Sequence, residues 1–344
     1  HRDLHLSIRR QRQMCIRDRS VVGAGAWGTA LAEVISRKGN KVNLWAREDN
    51  VVKNINTFNE NKLYLPDIKL SKLIVAQSEI NNVLNCDLLL MVTPSQFMRD
   101  ILEDIKNNLN EKVPVVLCSK GIETKTLSLM SDITEDIIPN NPLAILSGPS
   151  FAIDVVNNKP TAITLACKDS SISKSIAKSI SLPTFRPYLS DDIIGAQIGG
   201  ATKNVIAIAA GVVEGQNLGD SARAATIARG FSEINRLAIA LGGQEDTLSG
   251  LSGMGDLLLT CNSITSRNFS LGIKLGQGIS AEKATSELSS IAEGMYSAKA
   301  ISKLSKKLSI EMPITNAVND LIENKRSLEE IIDDLLSRPI RREK

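Results

Sequence analysis

The chain has 344 residues, of which 42% are hydrophobic and 23% charged, a composition typical of a globular protein large enough for two domains. Its net charge is +3, but six arginines and two aspartates between residues 1 and 19 account for that excess, so no basic face for nucleic acid is evident in the body. No run of 18 apolar residues occurs, which argues against a membrane span, and five scattered cysteines without a CxxC pair indicate a reducing compartment and no metal site.

Residues 1–19 form an arginine-rich tail that lacks the apolar core of a signal peptide. The tail resembles translated adapter sequence, and Asp18 and Arg19 stand where a buried parallel strand would be apolar. We therefore expect a non-native or disordered tail ahead of the first domain, with Met14 as an alternative start.

The first predicted elements, between residues 20 and 47, are a strand, a glycine turn, a helix and a second strand. Gly23, Gly25 and Gly28 follow the short apolar strand 20–22 with GxGxxG spacing. In a dinucleotide-binding loop, the first glycine permits the tight turn, the second lets the backbone approach the pyrophosphate, and the third lets the helix pack on the strand. The context favours cofactor binding over a tight turn that has no ligand.

The end of the second predicted strand, residues 41–46, bears on the choice of nucleotide. An NAD-specific site usually has an acidic residue about 20 residues beyond the glycines. Arg47 stands there and suits a 2′-phosphate, so the sequence favours NADP(H), while the neighbouring Glu48 leaves NAD(H) open. A solvated strand end is the alternative for Arg47.

The remaining patterns predict an α/β fold with two domains. Extended patterns occur at residues 73–76, 86–92, 113–118, 143–146, 161–166 and 184–188, helical patterns at 51–58, from 96 and at 172–180, and a loop at 59–66. Beyond residue 191 helical periodicity dominates, as in residues 221–241 and 314–322, and Ser327 with Glu330 forms a capping box. We therefore predict an N-terminal Rossmann-like dinucleotide-binding domain (20–191) followed by an all-helical C-terminal domain (192–344).

A lysine is the predicted acid–base group. Hydride transfer between a nicotinamide and an alcohol carbon also needs a group that moves the hydroxyl proton. The only histidines, His1 and His5, lie in the tail, which disfavours a histidine-dependent hydroxyacid dehydrogenase. Lys203 stands alone among glycines and small apolar residues, and Lys120 lies on a strand-end loop. A lysine buried beside a cofactor can have a lowered pKa, whereas a snorkelling surface residue is the ordinary alternative.

Two further segments carry polar side chains suited to a substrate. Asp256, between a glycine loop and an apolar run, suits a carboxylate that orients a hydroxyl or an ammonium, and an N-cap for a helix starting at Leu257 is an equally good interpretation. Arg267 and Asn268 supply a guanidinium fork and an amide for a phosphate or carboxylate, with a solvated turn as the alternative.

Seven separated motifs occur in the order found in one enzyme family. They are GAGAWGTALA (23–32), CSKGIE (118–123), SGPSFA (147–152), GGATKNVIAIAAG (199–211), SGMGDLLLTC (252–261), SRNFSLG (266–272) and AEG (292–294). Together they resemble the bacterial NAD(P)-dependent glycerol-3-phosphate dehydrogenases. The resemblance implies reduction of dihydroxyacetone phosphate to sn-glycerol 3-phosphate for glycerophospholipid synthesis, by a cytoplasmic and commonly homodimeric enzyme.

The resemblance also implies roles for individual residues, with Lys203 as proton donor and acceptor. The residues that it implies for the substrate are Lys120, Gly148, Ser150, Lys203, Asp256, Ser266, Arg267 and Asn268. Those that it implies for NADP(H) or NAD(H), beside the three glycines, are Ala26, Trp27, Arg47, Lys120, Ala152, Arg267, Ile291 and Glu293. Two other functions stay open: a related two-domain hydroxyacid dehydrogenase that acts on a carboxylate, and a nucleotide-sensing protein without catalysis.

Overall fold

The computed structural model describes residues 18–286 and 292–339. The chain divides into two compact units, each with its own hydrophobic core. The first unit comprises the chain up to Ser119 with Ser131–Leu146 and Ser150–Ile193, and the second comprises Lys120–Met130, Ser147–Pro149 and the chain from Ile194 onward. Two loop segments that precede residue 191 thus belong with the second unit. The predicted tail, apart from its last two residues, lies outside the described residues.

The first unit is built on an eight-stranded sheet. In chain order the ten strands within the described residues are β1 (Arg19–Val22), β2 (Val42–Trp45), β3 (Glu60–Asn61), β4 (Leu65–Lys69), β5 (Ile74–Gln77), β6 (Leu88–Met91), β7 (Val115–Leu117), β8 (Leu143–Ser147), β9 (Thr161–Ala166) and β10 (Phe185–Ser190). Of these, β3 and β4 form a separate two-stranded hairpin that accompanies the sheet. The sheet order is β10-β9-β8-β7-β6-β1-β2-β5, and β1 pairs in parallel with both β2 and β6. The chain order therefore reverses between β1 and β6, and ligands bind outside the carboxyl ends of the strands at such a point.

Six helices accompany this sheet. They are α1 (Ala26–Ser36), α2 (Asp49–Phe58), α3 (Met98–Ile105), α4 (Met130–Ile137), α5 (Ala152–Val156) and α6 (Ser170–Ile180), together with the 3₁₀ segments Ile80–Val83 and Ser95–Phe97. Every residue of β1 and β6 is buried, as expected of central parallel strands covered on both faces.

Residues 59–66, predicted to be a loop, include β3 and the start of β4, which form an antiparallel hairpin. Asn59 takes the left-handed conformation, with φ 54°, at the end of α2. The buried amide of Asn61 donates to Ala24 O and to Thr29 Oγ1, both at 2.8 Å. The loop prediction was wrong because polar contacts to the glycine turn hold this hairpin, and a search for apolar alternation does not detect them.

The first strand begins at Arg19, one residue earlier than the predicted start. Arg19 is only 5% exposed. Its guanidinium donates to Ser179 Oγ at 3.2 Å and lies 3.7 Å from the Asp87 carboxylate. The expectation that this position must be apolar was wrong, because these partners offset the cost of burying the charge.

The second unit is helical. Its helices are α7 (Ile193–Gly215), α8 (Asp220–Ala240), α9 (Glu245–Ser249), α10 (Asp256–Cys261), α11 (Arg267–Gly276), α12 (Ala281–Ser286), α13 (Glu293–Lys307), α14 (Pro313–Ile322) and α15 (Leu328–Leu336), with a π-helical turn at Leu251–Gly255. The predicted capping box of Ser327 and Glu330 is confirmed at the start of α15. The predicted fold class, a Rossmann-like domain followed by a helical domain, is also confirmed.

Helix α7 is the core helix of the second unit. Among the described helices it alone is long and apolar enough to cross a membrane, but 89% of that apolar stretch is buried inside the protein. A buried core helix passes the same test of length and composition, so α7 is weak evidence for a membrane span.

Glycines bring α7 and α11 into close contact. A Cβ atom on Gly211 would lie 2.2 Å from Phe269 O, and a Cβ atom on Gly272 would lie 2.1 Å from Ile208 O. Both distances are far below van der Waals contact. Only glycine therefore allows the two backbones to approach this closely.

We expect Gly211→Ala and Gly272→Ala each to lower the free energy of unfolding by about 1–3 kcal/mol, because the added methyl group forces the two backbones apart. Urea unfolding followed by circular dichroism measures this change. Gly255→Ala is the matched control, since Gly255 has helical dihedral angles and its added Cβ would meet no atom closer than 3.5 Å. Unfolding midpoints equal to that of the control would contradict the packing argument.

Candidate functional site

The turn between β1 and α1 has the geometry of a phosphate-binding loop. Gly23 has φ 112°, and a Cβ atom there would lie 2.7 Å from Val92 O. A Cβ atom on Gly28 would lie 1.8 Å from Gly23 O, so α1 packs directly against the turn. Gly25, in contrast, has no atom within 4 Å of its Cβ position. The open side of the turn therefore lets a ligand approach the backbone.

The start of α1 offers uncapped donors. Its N-cap residue, Gly25, has no side chain to bond the first amides, which carry partial positive charge. Ala26 and Trp27, both predicted to line the cofactor, occupy the first turn. Among the described residues, neither Trp27 Nε1 nor Thr93 Oγ1 has a hydrogen-bond partner, although both atoms are buried. These residues of the first unit fit an anionic dinucleotide.

The two charged residues after β2, Arg47 and Glu48, differ in whether their side chains already have a partner. Tyr64, on the hairpin, donates its hydroxyl to Glu48 Oε1 at 3.0 Å. Burial raises the pKa of Tyr64, and the Glu48 carboxylate raises it further. Arg47 is exposed and forms no ion pair within the described part of the chain. The arginine is thus available to an incoming anion, whereas the glutamate already has a partner.

In the second unit, four predicted residues and one unpredicted residue form a cluster. Lys203, on α7, is 7% exposed, and its Nζ donates to Asp256 Oδ1 and, at 2.9 Å, to Thr260 Oγ1. Lys120 Nζ donates to the other carboxylate oxygen, Asp256 Oδ2, at 2.7 Å, and to Gly148 O at 3.2 Å. One buried carboxylate therefore orients two ammonium groups.

This environment changes the acid–base properties of Lys203. Burial lowers the pKa of Lys203 to about 8, the Asp256 carboxylate opposes that shift, and the Lys120 ammonium adds to it. An ordinary lysine stays charged well above neutral pH, whereas an amine with this pKa gains and loses a proton near it. The cluster can therefore both donate and accept a proton.

Two glycines on α7 make room for the cluster. A Cβ atom on Gly199 would lie 2.4 Å from Ser252 O, in the π-helical turn that leads into α10. A Cβ atom on Gly200 would lie 2.8 Å from Ser147 Oγ and 3.4 Å from Lys120 Cγ. Residues three and four positions apart share a helix face, so both glycines lie beside Lys203.

The capping interpretation of Asp256 was wrong. Helix α10 begins at Asp256 itself, and its N-cap residue is Gly255. The carboxylate is fully buried and accepts hydrogen bonds from the two lysines instead. Sequence reasoning also missed Thr260, which donates to Asp256 O at 2.6 Å while it accepts from Lys203. The signal was its position one helical turn after Asp256.

Residues 266–268 begin α11 and make structural contacts. Ser266 Oγ caps the helix by accepting from Phe269 N at 3.3 Å. Asn268 Oδ1 accepts from Gly294 N at 3.0 Å, which joins α11 to α13. Arg267 is exposed and interacts electrostatically with Glu293, the first residue of α13.

The other predicted residues are dispersed. Ser150 and Ala152 belong to the first unit, where Ala152 begins α5. Ile291 lies outside the described residues. Over residues 18–286 and 292–339, no group of three or more histidine, cysteine, aspartate or glutamate side chains is placed to hold a metal ion.

Comparison with known proteins gives matches along both units. The family model described as NAD-dependent glycerol-3-phosphate dehydrogenase N-terminus matches residues 19–173, and that described as the C-terminus matches residues 192–333. The glycerol-3-phosphate dehydrogenase (NAD(P)+) of Parvibaculum lavamentivorans is 50% identical over 324 residues, which cover 94% of this chain and 97% of that protein. The Caulobacter vibrioides enzyme of the same name is 48% identical, over 94% of this chain and 98% of that protein.

Solved structures include similar folds. The crystal structure of glycerol-3-phosphate dehydrogenase from Coxiella burnetii has a TM-score of 0.91 and 35% identity, and the match covers 94% of this chain and 99% of that chain. The structure of glycerol-3-phosphate dehydrogenase from Saccharomyces cerevisiae has a TM-score of 0.79 and 27% identity, and the match covers 92% of this chain and 98% of that chain. Both matches extend over nearly the whole chain.

Proposed function

The chain belongs to the NAD-dependent glycerol-3-phosphate dehydrogenase family, and we propose that Lys203 is the acid–base group with which it reduces dihydroxyacetone phosphate to sn-glycerol 3-phosphate. The protein is an NAD(P)-dependent oxidoreductase. The observation that carries the proposed role is the buried Lys203 Nζ, which Asp256 and Thr260 hold in place.

Residues of the protein supply and accept the proton that the reaction exchanges with the substrate oxygen. When bound, the nicotinamide cofactor supplies or accepts the hydride. In the reduction, Lys203 donates the Nζ proton to the ketone oxygen, and in the oxidation its neutral amine takes the proton from the hydroxyl group. Asp256 stabilises the ammonium form of Lys203. Thr260 accepts a second hydrogen bond from Nζ, so the orientation of the remaining N–H group is restricted.

The substrate-binding set follows from the family's motifs. The phosphate of the substrate would be bound by the side chains of Arg267 and Asn268, with Ser266 at the same helix start. Lys120 would bind the substrate beside Asp256 and Gly148, and Ser150 would complete the set. Fixing a ketone in this way can contribute about 7–11 kcal/mol to lowering the barrier.

The cofactor set is assigned on the same basis. We propose residues 20–191 as the main dinucleotide-binding segment and residues 192–344 as the main substrate-binding segment. Lys120, Gly148 and Ser150 add to the substrate set from the first segment, and Arg267, Ile291 and Glu293 add to the cofactor set from the second. The residues proposed for the cofactor are Gly23, Gly25, Ala26, Trp27, Gly28, Arg47, Lys120, Ala152, Arg267, Ile291 and Glu293.

The decisive experiment follows nicotinamide absorbance with NADPH or NADH, with and without dihydroxyacetone phosphate. We expect oxidation of the nucleotide that depends on the ketone phosphate. Competition by inorganic phosphate, and not by small carboxylates, would separate this substrate from a hydroxyacid. A folded protein that binds the nucleotide without turnover of any ketone would indicate a nucleotide sensor and contradict the proposal.

The two directions of the reaction should depend on pH in opposite ways. Reduction needs the Lys203 ammonium, so its kcat should fall as the pH rises through about 8. Oxidation needs the neutral amine, so its kcat should rise over the same interval. Initial rates at saturating substrate in both directions measure the two profiles. Profiles that change in the same direction would exclude Lys203 as the titrating group.

We propose that NADP(H) is the preferred cofactor, because Arg47 is available to the 2′-phosphate while Tyr64 occupies the Glu48 carboxylate. Arg47→Ala should raise the Kd for NADP+ by about 10- to 100-fold, since hydrogen bonds to charged groups contribute about 1.5–3 kcal/mol. The Kd for NAD+ should change little. Isothermal titration calorimetry with the two nucleotides measures both constants.

A matched control for this substitution is Lys41→Ala. Lys41 is an exposed cation just before the same strand, β2. Its removal should leave both Kd values unchanged. Equal losses of NADP+ affinity in the two variants would indicate a general charge effect rather than recognition of the 2′-phosphate.

We further propose that the product enters glycerophospholipid synthesis and that the enzyme is a cytoplasmic homodimer. Cys86, Cys118, Cys167 and Cys261 are free thiols, which suits a reducing compartment. Light scattering after size-exclusion chromatography tests the dimer, and a monomeric mass throughout the working concentration range would contradict it.

A further inference from the structure

A groove of about 610 Å³ lies in the first unit, between α6 and the edge strand β10. Its walls combine cations and apolar side chains, and its lining includes no acidic residue. The cations are Lys174, Lys178 and Arg186, and the apolar residues include Leu182, Pro187 and Leu189. Neither the proton-transfer cluster nor the glycine turn contributes a residue to this groove.

The three cations of the groove are unpaired. Lys174 and Lys178 are four residues apart on α6 and therefore lie on the same face of the helix. None of the three forms a salt bridge with a described residue, and the Arg186 guanidinium lies 6.0 Å from the centroid of the Tyr188 ring. Lys38 donates to Lys178 O and Ser181 O, which brings a fourth positive charge to this end of the helix. The groove is thus a concentrated positive surface on a protein body of small net charge.

Large apolar side chains stand exposed beside the cations. Tyr188 is 53% exposed and Leu189 is 47% exposed, although both lie in a strand. Successive residues of a strand point to opposite faces, so the two side chains cover both sides of the sheet edge. Aromatic and apolar side chains next to lysine and arginine are typical of surfaces that lie on a bilayer interface.

We propose that this groove and the β10 edge form a docking surface for bilayers that contain anionic phospholipids. The cations would contact the lipid phosphates, and Tyr188 and Leu189 would enter the headgroup region. An acidic peptide added to the edge strand fits less well, because Pro187 has no N–H to donate and interrupts the ladder. The surface does not depend on the proposed reaction, so binding and activity are tested separately.

The test is cosedimentation with vesicles of phosphatidylcholine and phosphatidylglycerol, compared with vesicles of phosphatidylcholine alone. Each cation near an anionic bilayer is worth about a fivefold change in partition coefficient. The triple variant Lys174→Gln, Lys178→Gln, Arg186→Gln should therefore bind the anionic vesicles on the order of 100-fold more weakly. Tyr188→Ser with Leu189→Ser should weaken binding without changing its salt dependence.

The matched control removes the same number of charges from another unit. Lys303, Lys306 and Lys307 are exposed on α13 and form no salt bridge within the described chain. Their replacement by glutamine should change the partition coefficient less than about twofold, because binding is assigned to the groove cations and charges elsewhere contribute only a screened attraction. All substituted side chains are exposed, so the variants should fold, which circular dichroism confirms.

Three outcomes would overturn the proposal. The first is the absence of binding to anionic vesicles even at low ionic strength. The second is an equal loss of binding in both triple variants, which would indicate a general charge effect. The third is a change of oligomeric state in the groove variant with vesicle binding retained, which would assign the groove to an interface between copies of the chain.

Discussion

Lys203→Ala should lower kcat for the reduction of dihydroxyacetone phosphate by about 10²- to 10⁴-fold, the range that general acid–base catalysis contributes. The substitution removes the amine whose pKa burial lowers to about 8. Binding of the nucleotide should persist, because the glycine turn belongs to the first unit. The measurements are single-turnover kinetics and calorimetric titration of NADP+.

Two variants test the role rather than the mere presence of this side chain. Lys203→Arg keeps a cation that cannot lose its proton, so it should be nearly as inactive as the alanine variant. Lys303→Ala removes an exposed lysine of α13 and should have normal kcat. Retained turnover in Lys203→Ala would exclude Lys203 from proton transfer.

Asp256→Ala should damage stability and activity together. The carboxylate is fully buried and accepts from Lys203 and Lys120, so its loss leaves two ammonium groups without their counter-ion. Removing one partner of a buried ion pair costs about 3–5 kcal/mol. Because Asp256 raises the pKa of Lys203, its removal should lower that pKa further, and less of the proton donor would be present at neutral pH. Urea unfolding and the pH profile of kcat measure the two effects.

A double variant separates the ion pair from general damage to packing. If the cost comes from an uncompensated charge, Asp256→Ala with Lys203→Met should be more stable than Asp256→Ala alone. As the pH rises and the Lys203 amine loses its proton, the single variant should also recover part of its stability. The electrostatic explanation would be contradicted if the stability losses of the two single substitutions simply summed in the double variant and if the loss in Asp256→Ala did not vary with pH.

The fold was predicted best where one local pattern decides the structure. The run of apolar residues in β6 is typical of a strand covered on both faces, and the spacing of Gly23, Gly25 and Gly28 between a strand and a helix indicates a turn and a helix start. The hairpin of β3 and β4 was missed because the amide of Asn61 donates to Ala24 O in the glycine turn and to Thr29 Oγ1 in α1, both more than 30 residues earlier in the chain. Contacts of that kind leave no periodic signal.

The sequence predicted several residues of the site but few of the contacts between them. Lys203 and Asp256 were selected for their apolar surroundings, but the sequence left Asp256 open between a helix cap and a partner for a lysine. In the structure, the Asp256 carboxylate forms ion pairs with Lys120 and Lys203. Thr260 and the contact between Tyr64 and Glu48 were not predicted, because a single hydroxyl group in a helix or loop is chemically ordinary until its neighbours are known.

The sequence by itself determined the order of the Rossmann-like and helical parts and the position of the glycine turn, since each depends on residue types and on spacings of a few positions. It also restricted the candidate acid–base groups to lysines, because the histidines lie in the tail. Only the tertiary structure decided the acid–base character of Lys203. Its partner Asp256 is 53 residues away in sequence, and Lys120 is 136 residues from Asp256. The lowered pKa depends on burial and on the distances between these charges, and distances between residues so far apart in the chain arise only when the helices pack.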